Sequence, residues 1–292
     1  MNLQELQQIN QATQNRIAEG TGRARFPVDP YFGVLEVRLF ECPPFLMFTA
    51  NDCPRAANIL FDQHFEPMSM AIWCRLARQA SSVFDVGAHV GVYALAAASA
   101  CPNMKIHAFE PNPYAYARLR VNKALNNFSN LVDHRFGLSD RDDVISMSWD
   151  KKAGEPISSG ASVMQGVQNE RETIAADIKS FDSLEVAATV GDRGLFKIDV
   201  EGTEYNALRG MQNTLRERRP DIILETFSQE SCDLLTPFLL PLGYNVYRVR
   251  EDTMTIERLM RLKAATWETG NFNLLLSCRS FEDLADVLKP RA

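Results

Sequence analysis

The chain has 292 residues, of which 46% are hydrophobic, and it carries a formal net charge of −6 at pH 7. This length and apolar content are sufficient for one α/β domain with an appendage to bury a full core. The acidic balance and the absence of a run rich in Lys and Arg argue against a nucleic-acid substrate.

The cysteines and the apolar runs indicate the compartment in which the chain works. The six cysteines are scattered and form no C-x-x-C pair. This spacing favours reduced, buried thiols over a zinc site or a disulfide framework. The polar N-terminus has no signal-peptide run, and no apolar run reaches the length of a membrane span. We therefore expect a cytoplasmic protein without a membrane partner.

The first 65 residues predict an extension ahead of the main domain. Residues 1–20 are rich in Gln and Asn and predict one helix, and residues 34–40 and 45–49 predict the strands of a hairpin. Pro67 then opens an amphipathic helix. We place the domain boundary there, with the extension at residues 1–65 and the main domain at residues 66–292.

A regular alternation of strands and helices begins at Ser82 and predicts a parallel sheet covered on both faces. A polar insertion at about residues 141–180 interrupts it, and we expect an inserted loop or edge strands there, with a mobile centre. Two late strands lie close together in sequence, so the last is expected to insert antiparallel. The predicted fold class is α/β, with a seven-stranded, mostly parallel sheet. Its strands are expected near residues 82–86, 105–109, 131–136, 195–200, 221–225, 244–249 and 271–277.

The turn after the strand at residues 82–86 has the clearest ligand-binding pattern. Gly87 and Gly91 bracket a tight turn into an Ala-rich helix, and a helix N-terminus attracts carboxylate or phosphate. Dinucleotide turns prefer G-x-G-x-x-G, but His89 stands here in place of the second glycine and would crowd a pyrophosphate. Glu110, at the end of the next strand, suits the hydroxyls of a ribose. We therefore predict S-adenosyl-L-methionine as the cofactor, because its small carboxylate and ammonium demand less of the turn.

Acidic residues close four of the five parallel strands, at the edge of the sheet where ligands bind. Because an isolated buried charge is costly to desolvate, such a cluster needs a cationic partner, which the sulfonium and ammonium of the cofactor would supply. The four acids are Asp85, Glu110, Asp199 and Glu225.

Lys197 lies within an apolar strand, two residues before Asp199, so both side chains face the same side of the sheet. Lys197 either pairs with Asp199 or Glu225 to hold strand ends together, or it assists Asp199 in orienting the cofactor amine or a substrate hydroxyl. Asp199 and Glu225 would also suit a divalent cation, although we predict no metal. Glu66, just before Pro67, either reaches the cofactor mouth or complements the dipole of the helix that follows.

Five motifs follow one another along the chain: F-D-V-G-A-H-V-G at residues 84–91, A-F-E-P-N-P at 108–113, G-L-S-D at 137–140, S-F-D-S-L at 180–184 and K-I-D-V-E-G-T-E at 197–204. This series resembles the FkbM family of S-adenosylmethionine-dependent methyltransferases. The resemblance spans about residues 60–230, and its most specific part is the motif at residues 197–204. One departure is His89, which stands where the family usually has asparagine.

The resemblance implies the class I methyltransferase fold and O-methylation of a hydroxyl on a sugar, a polyketide or another small metabolite. It also implies a role for each matching position. The turn with Asp85, Gly87, Ala88, His89 and Gly91 would hold the methionine end, Glu110 with Pro111 the ribose, and Leu138, Ser139 and Asp140 the adenine. Asp199 and Lys197 would lie near the transferred methyl group. Separately, because Asp199 and Glu225 are expected to converge at adjacent strand ends, we predict that one of them accepts the proton of the acceptor hydroxyl.

Two other functions stay open from the sequence. A nicotinamide-dependent oxidoreductase could also use Glu110 for a ribose, although the missing G-x-G spacing disfavours it. A non-catalytic S-adenosylmethionine-binding protein on the same scaffold is the second. The expected partner is a small hydroxylated acceptor, and the sequence is compatible with a homo-oligomer.

Overall fold

The computed structural model describes residues 3–18, 31–50, 59, 65–150, 171–265 and 270–289. Its strands are β1 (Phe32–Val37), β2 (Phe45–Ala50), β3 (Ser82–Val86), β4 (Ile106–Phe109), β5 (Leu131–His134), β6 (Gly137–Ser139), β7 (Asp143–Asp150), β8 (Arg171–Ser180), β9 (Gly194–Ile198), β10 (Asp221–Glu225), β11 (Asn245–Arg250), β12 (Thr255–Leu259) and β13 (Asn273–Ser277). Its α-helices are α1 (Leu3–Ala18), α2 (Pro67–Ala77), α3 (Val92–Ala100), α4 (Pro113–Leu125), α5 (Glu204–Arg209), α6 (Gln212–Glu217), α7 (Gln229–Leu239) and α8 (Phe281–Leu288).

The central sheet has the strand order β12-β11-β13-β10-β9-β3-β4-β5. Strands β10, β9, β3, β4 and β5 are parallel neighbours. The last strand, β13, lies between β10 and β11 and runs antiparallel to both. This arrangement confirms the predicted α/β fold of the class I methyltransferases.

The sheet differs from the prediction in one strand. It has eight strands rather than seven, because β12 pairs antiparallel with β11 at the outer edge. Its sequence, T-I-E-R-L, lacks the continuous apolar run that marks the central strands, and its side chains are mostly exposed. Charged side chains on an exposed edge strand are common because they discourage pairing with another chain. The hydrophobic pattern therefore gave no signal for it.

The central strands are apolar along their whole length because helices cover both faces of the sheet. β3, β9, β10 and β13 are buried at every position, as expected for strands in the middle of a doubly wound sheet. The Ala-rich helix α3 is buried over residues 92–98. Small side chains let this helix lie close to the sheet, and its N-terminus comes directly after the turn that closes β3.

The N-terminal extension packs against the main domain. In the β1–β2 hairpin, the backbone N–H groups of Leu46 and Phe48 donate to the side-chain oxygens of Asn126 and Asn122 at the end of α4. Helix α1 is joined to β1 through Asn10, whose amide both donates to and accepts from the backbone of Phe32. The predicted boundary at residue 65 stays a prediction.

The segment at about residues 141–180 forms strands β7 and β8, which pair antiparallel. Strand β6 adds to β8 in parallel, giving a small three-stranded sheet beside the central one. The centre of this segment, which the sequence predicts as mobile, lies at residues 151–170, outside the described residues.

Two of the cysteines contradict the prediction of reduced thiols. Cys42 and Cys74 form a disulfide that joins the turn between β1 and β2 to α2. Their separation of 32 residues matches no spacing motif, and the same turn also contacts α2 through hydrogen bonds from Arg75 to the carboxylate of Glu41. Cys101, Cys232 and Cys278 are free, and Cys53 lies outside the described residues. Cysteine usage therefore no longer supports a reducing compartment.

Within the part of the chain that the structure describes, no helix is both long enough and apolar enough to cross a membrane.

Candidate functional site

The predicted acids meet at the carboxyl edge of the sheet, on one of its faces. Asp85 in β3 is the register partner of Lys197 in β9, and Glu225 in β10 is the register partner of Asn273 in β13. Side chains two residues apart share a face, so Asp199 projects on the same side as Lys197. Parallel strands thus bring together side chains that are far apart in sequence.

The turn after β3 requires glycine at its first position. Gly87 has a φ of 79°, and a Cβ there would overlap the carbonyl oxygen of Asp199. The N–H groups of Gly87 and Ala88 both donate to the carbonyl oxygen of Phe109, at 3.0 Å. His89 continues the turn in the left-handed region, with a φ of 52°. The turn is therefore held against the ends of the two neighbouring strands, β4 and β9.

Glu110 stands at the position predicted for a ribose-binding acid. Its two carboxylate oxygens accept the N–H groups of His89 and Asn112, each at 2.7 Å. Each oxygen can still accept one more hydrogen bond, as a ribose diol would require. Burial raises the pKa of Glu110 to about 7, although these two hydrogen bonds lower it. These hydrogen bonds therefore hold the Glu110 carboxylate beside the turn, where it could bind a cofactor.

A cleft of about 290 Å³, counted with the solvent at its mouth, opens beside this turn. Six of the predicted site residues line it, namely Asp85, Gly87, Ala88, His89, Lys197 and Asp199. The other lining residues are Phe65, Val92 and Tyr93. The cleft therefore combines two carboxylates and a lysine with two aromatic rings.

Lys197 is the cation at the centre of the acidic cluster, and its side chain is 1% exposed. Its Nζ lies 3.7 Å from Oδ2 of Asp199, 3.6 Å from Oε2 of Glu225, and 5.1 Å from the ring centre of Tyr93. Burial alone would lower the pKa of Lys197, but the negative charges of Asp199 and Glu225 outweigh this effect and raise it. Lys197 is therefore an ammonium held between two carboxyl groups.

One ammonium cannot balance every acid around it, and the surplus carboxyls hold their protons more tightly. Burial raises the pKa of Glu225 to about 10, with the negative charge of Asp199 adding to the effect and Lys197 opposing it. Burial also raises the pKa of Asp85 to about 7, against the charge of Lys197 and a hydrogen bond from the N–H of Ala94. Glu225 therefore holds its proton more tightly than an ordinary carboxyl group, and Asp199 is the second carboxyl group beside the ammonium.

The divalent-cation alternative is weakened by this geometry. Lys197 Nζ occupies the space between Asp199 and Glu225 where such an ion would bind. In the described part of the chain, no group of three or more His, Cys, Asp or Glu side chains is placed to hold a metal ion.

Glu66 is connected to the cleft through Tyr93, and it also binds Asn273. The hydroxyl of Tyr93 donates to Oε2 of Glu66 at 2.5 Å, and the amide nitrogen of Asn273 donates to the same oxygen at 2.9 Å. Glu66 makes no side-chain cap to α2. Instead, Glu251 at the end of β11 accepts the N–H groups of Met68 and Ser69 at the start of that helix.

The sequence analysis missed Tyr93, Asn273 and Glu251. Tyr93 is the one aromatic side chain in a helix made mostly of Ala, which was a signal in the sequence. Asn273 is a polar residue that begins an apolar strand, which is a weaker one. Glu251 binds the N–H of Met68 in α2, which is 183 residues away in sequence, and no local pattern predicts such a contact.

The remaining predicted residues lie outside the lining of the cleft. Gly91, with a φ of 97°, begins α3 and packs against Leu119. Pro111 packs against Gly137, next to the buried Leu138. The backbone of Gly210 lies so close to the carbonyl oxygen of Ser139 that a Cβ at position 210 would overlap it. Asp140 forms ion pairs with Arg141 and Arg209. Their roles in cofactor binding stay predictions.

The sequence is similar to a known family of proteins. Residues 85–246 match the family model described as the methyltransferase FkbM domain. The chain is 26% identical over 172 residues to the 31-O-demethyl-FK506 methyltransferase FkbM of Streptomyces tacrolimicus, covering 51% of this chain and 66% of that protein. It is 30% identical over 140 residues to the hexuronic acid methyltransferase AglP of Haloferax volcanii, covering 48% of this chain and 54% of that protein.

Among solved structures, the FkbM methyltransferase of Methylobacillus flagellatus KT aligns with a TM-score of 0.43 at 16% identity, over 68% of this chain and 43% of that one. The matched region spans between about half and two thirds of the length of the curated relatives.

Proposed function

The chain belongs to the FkbM methyltransferase family, and we propose that it transfers a methyl group from S-adenosyl-L-methionine to a hydroxyl oxygen of a small metabolite or sugar. The observation that carries this proposal is Asp199, a carboxylate that lines the cleft and is paired with a buried ammonium. We also propose that residues 66–292 form the methyltransferase domain and that residues 1–65 form its extension.

The residues of the cleft fit the proposed cofactor. Position 87 must be glycine, because a Cβ there would overlap the carbonyl oxygen of Asp199. The turn therefore carries no side chain at this position, which suits a ligand lying along it. Asp85 and Asp199 are acceptors for an ammonium, and Glu110 keeps lone pairs for ribose hydroxyls. The cofactor's sulfonium and ammonium would also offset the surplus of acids around Lys197.

In the proposed reaction, Asp85, Asp199 and Glu110 would hold S-adenosyl-L-methionine, which would supply an activated methyl group for the acceptor oxygen. The products would be a methyl ether, S-adenosylhomocysteine and one proton. Asp199 accepts that proton from the acceptor hydroxyl. Lys197 would hold Asp199 in place through their ion pair, whereas the raised pKa of Glu225 makes that carboxyl group retain its proton.

The two relatives support the class of acceptor, since one is named for 31-O-demethyl-FK506 and the other for hexuronic acid. Both are small molecules that carry hydroxyl groups. The net charge of −6 also favours such an acceptor over a nucleic acid.

Calorimetry and turnover together test the proposal. The purified protein should bind S-adenosylmethionine and S-adenosylhomocysteine, and it should release S-adenosylhomocysteine when given hydroxylated acceptors that include hexuronic acids. Asp199→Asn should lower kcat by about 10²- to 10⁴-fold, with cofactor affinity changed much less. Asp192→Asn is the control, because Asp192 is exposed and its ion pair with Arg218 is long, at 3.9 Å.

Three results would count against this function. Absence of cofactor binding by the folded protein would reject it entirely. Tight binding without transfer to any acceptor would favour the non-catalytic alternative. Full turnover by the Asp199→Asn variant would remove Asp199 from the mechanism.

A further inference from the structure

Three buried polar atoms on the strands at and beside the cleft have no hydrogen-bond partner in the described structure. They are Nζ of Lys197, Oε2 of Glu225 and Oδ1 of Asn273. The three residues are 1%, 6% and 3% exposed. Buried polar atoms are nearly always hydrogen-bonded in folded proteins, so several orphans in one place indicate that something else completes them.

The three atoms lie on adjacent strands of the same face of the sheet. Lys197 Nζ is 3.6 Å from Oε2 of Glu225. Glu225 and Asn273 are direct register partners, so their side chains project from neighbouring positions. Lys197 also lines the cleft next to Asp199, which connects this group of atoms to the reacting end of the site.

Glu66 fixes the orientation of the Asn273 amide. The amide nitrogen of Asn273 donates to Oε2 of Glu66 at 2.9 Å, which sets the side of the amide that faces Glu66. The amide oxygen, Oδ1, is then the atom directed away from Glu66. The same Glu66 oxygen accepts the hydroxyl of Tyr93 and is thereby held in position. Asn273 therefore presents a fixed acceptor, and Lys197 presents a donor.

A hydroxyl group matches this pair, because it can accept from Lys197 and donate to Asn273 at the same time. We propose that Lys197 and Asn273 form a subsite for a second hydroxyl of the acceptor, adjacent to the hydroxyl that Asp199 deprotonates. The enzyme would then select vicinal diols over acceptors with an isolated hydroxyl. This inference rests on the proposed function, because it assumes that the acceptor lies beside Asp199.

Matched pairs of acceptors test the subsite. The probes are methyl glycosides of hexoses and hexuronic acids, each compared with the analogue in which one neighbouring hydroxyl is replaced by hydrogen. For the wild type we expect kcat/KM to be about 10- to 100-fold higher for the diol, because the deoxy analogue leaves two buried polar atoms unsatisfied.

The variant Asn273→Leu removes the acceptor atom with little change in side-chain shape. We expect it to narrow the preference for the diol by about 10-fold, mostly through slower turnover of the diol. The control is Asn245→Leu, which removes an amide that bonds to Arg279 and Arg258 at the opposite end of the same sheet region. Circular dichroism and thermal unfolding should show both variants folded.

The ratio between diol and deoxy analogue separates this subsite from a structural role. If Asn273 only supports the fold, Asn273→Leu lowers kcat/KM for both probes equally, and the proposal is rejected. Equal turnover of both probes by the wild type, or transfer to no diol in the panel, also rejects it, because the three atoms would then bind only water. Methyl transfer with equal rates leaves the proposed function intact, whereas failure to bind the cofactor removes both.

Discussion

Replacing Glu225 with Gln tests whether this side chain is protonated in the folded protein. Burial and the negative charge of Asp199 raise the pKa of Glu225 to about 10, so the folded chain holds a proton there at neutral pH. Gln has nearly the size of a protonated Glu and also donates from the same position. Folding of the wild type at pH 7 therefore requires proton uptake by Glu225, and folding of the variant does not.

The magnitude follows from the difference between the two pKa values. Glu225 has an ordinary pKa of 4.5, which lies about 2.5 pH units below pH 7. At about 1.4 kcal/mol per unit, proton uptake costs the wild type about 3 kcal/mol of unfolding free energy at pH 7. Because the folded pKa is raised, this loss is absent below pH 4.5 and grows as the pH rises toward 10.

Urea unfolding of both proteins at a series of values between about pH 4 and pH 8 measures this difference. We expect Glu225→Gln to match the wild type at the acid end and to be more stable by up to about 3 kcal/mol at pH 7. Glu257→Gln is the control, because Glu257 lies on the exposed edge strand β12. A stability difference that does not depend on pH, or a destabilised Gln variant at pH 7, would refute the protonated state of Glu225.

Three further predictions concern the cofactor turn and the charges around it. Gly87→Ala should lower cofactor affinity at least about 10-fold and destabilise the fold, because the added Cβ overlaps the carbonyl of Asp199; calorimetry and thermal unfolding measure both effects. EDTA should leave turnover unchanged, since Lys197 already supplies the cation beside Asp199; a loss restored by a divalent ion would contradict this. Affinity for S-adenosylmethionine should rise as the pH increases through about 7, because Asp85 and Glu110 ionise there; calorimetry at about pH 6 and pH 8 would show equal affinities if the reasoning is wrong.

The fold was readable from the sequence because its central strands are apolar throughout and alternate with helices. The runs at β3, β9 and β10 end in Asp85, Asp199 and Glu225, and the structure brings these ends to one edge. The class of the fold was therefore predictable from local patterns. Strand β12 was missed because a half-exposed edge strand does not need an apolar sequence.

The disulfide shows a different limit of sequence reasoning. The pairing of Cys42 with Cys74 depends on how the folded chain brings the turn between β1 and β2 to α2. Glu251 is a similar case, because it reaches the start of α2 from the end of β11. Contacts of this kind connect distant segments, and no spacing within either segment encodes them.

The charges of the site were predictable only in part, unlike the fold, which was largely predictable, and the disulfide, which was not. The sequence indicated that several buried acids meet and need a cation, and it offered the cofactor as the source of that charge. The structure adds a nearer source, because Lys197 is within 4 Å of both Asp199 and Glu225. One ammonium can stabilise one carboxylate, so burial leaves the other carboxyl neutral. Asp199 lines the cleft and Glu225 does not, so Asp199 is the carboxyl group of this pair that a ligand in the cleft can reach.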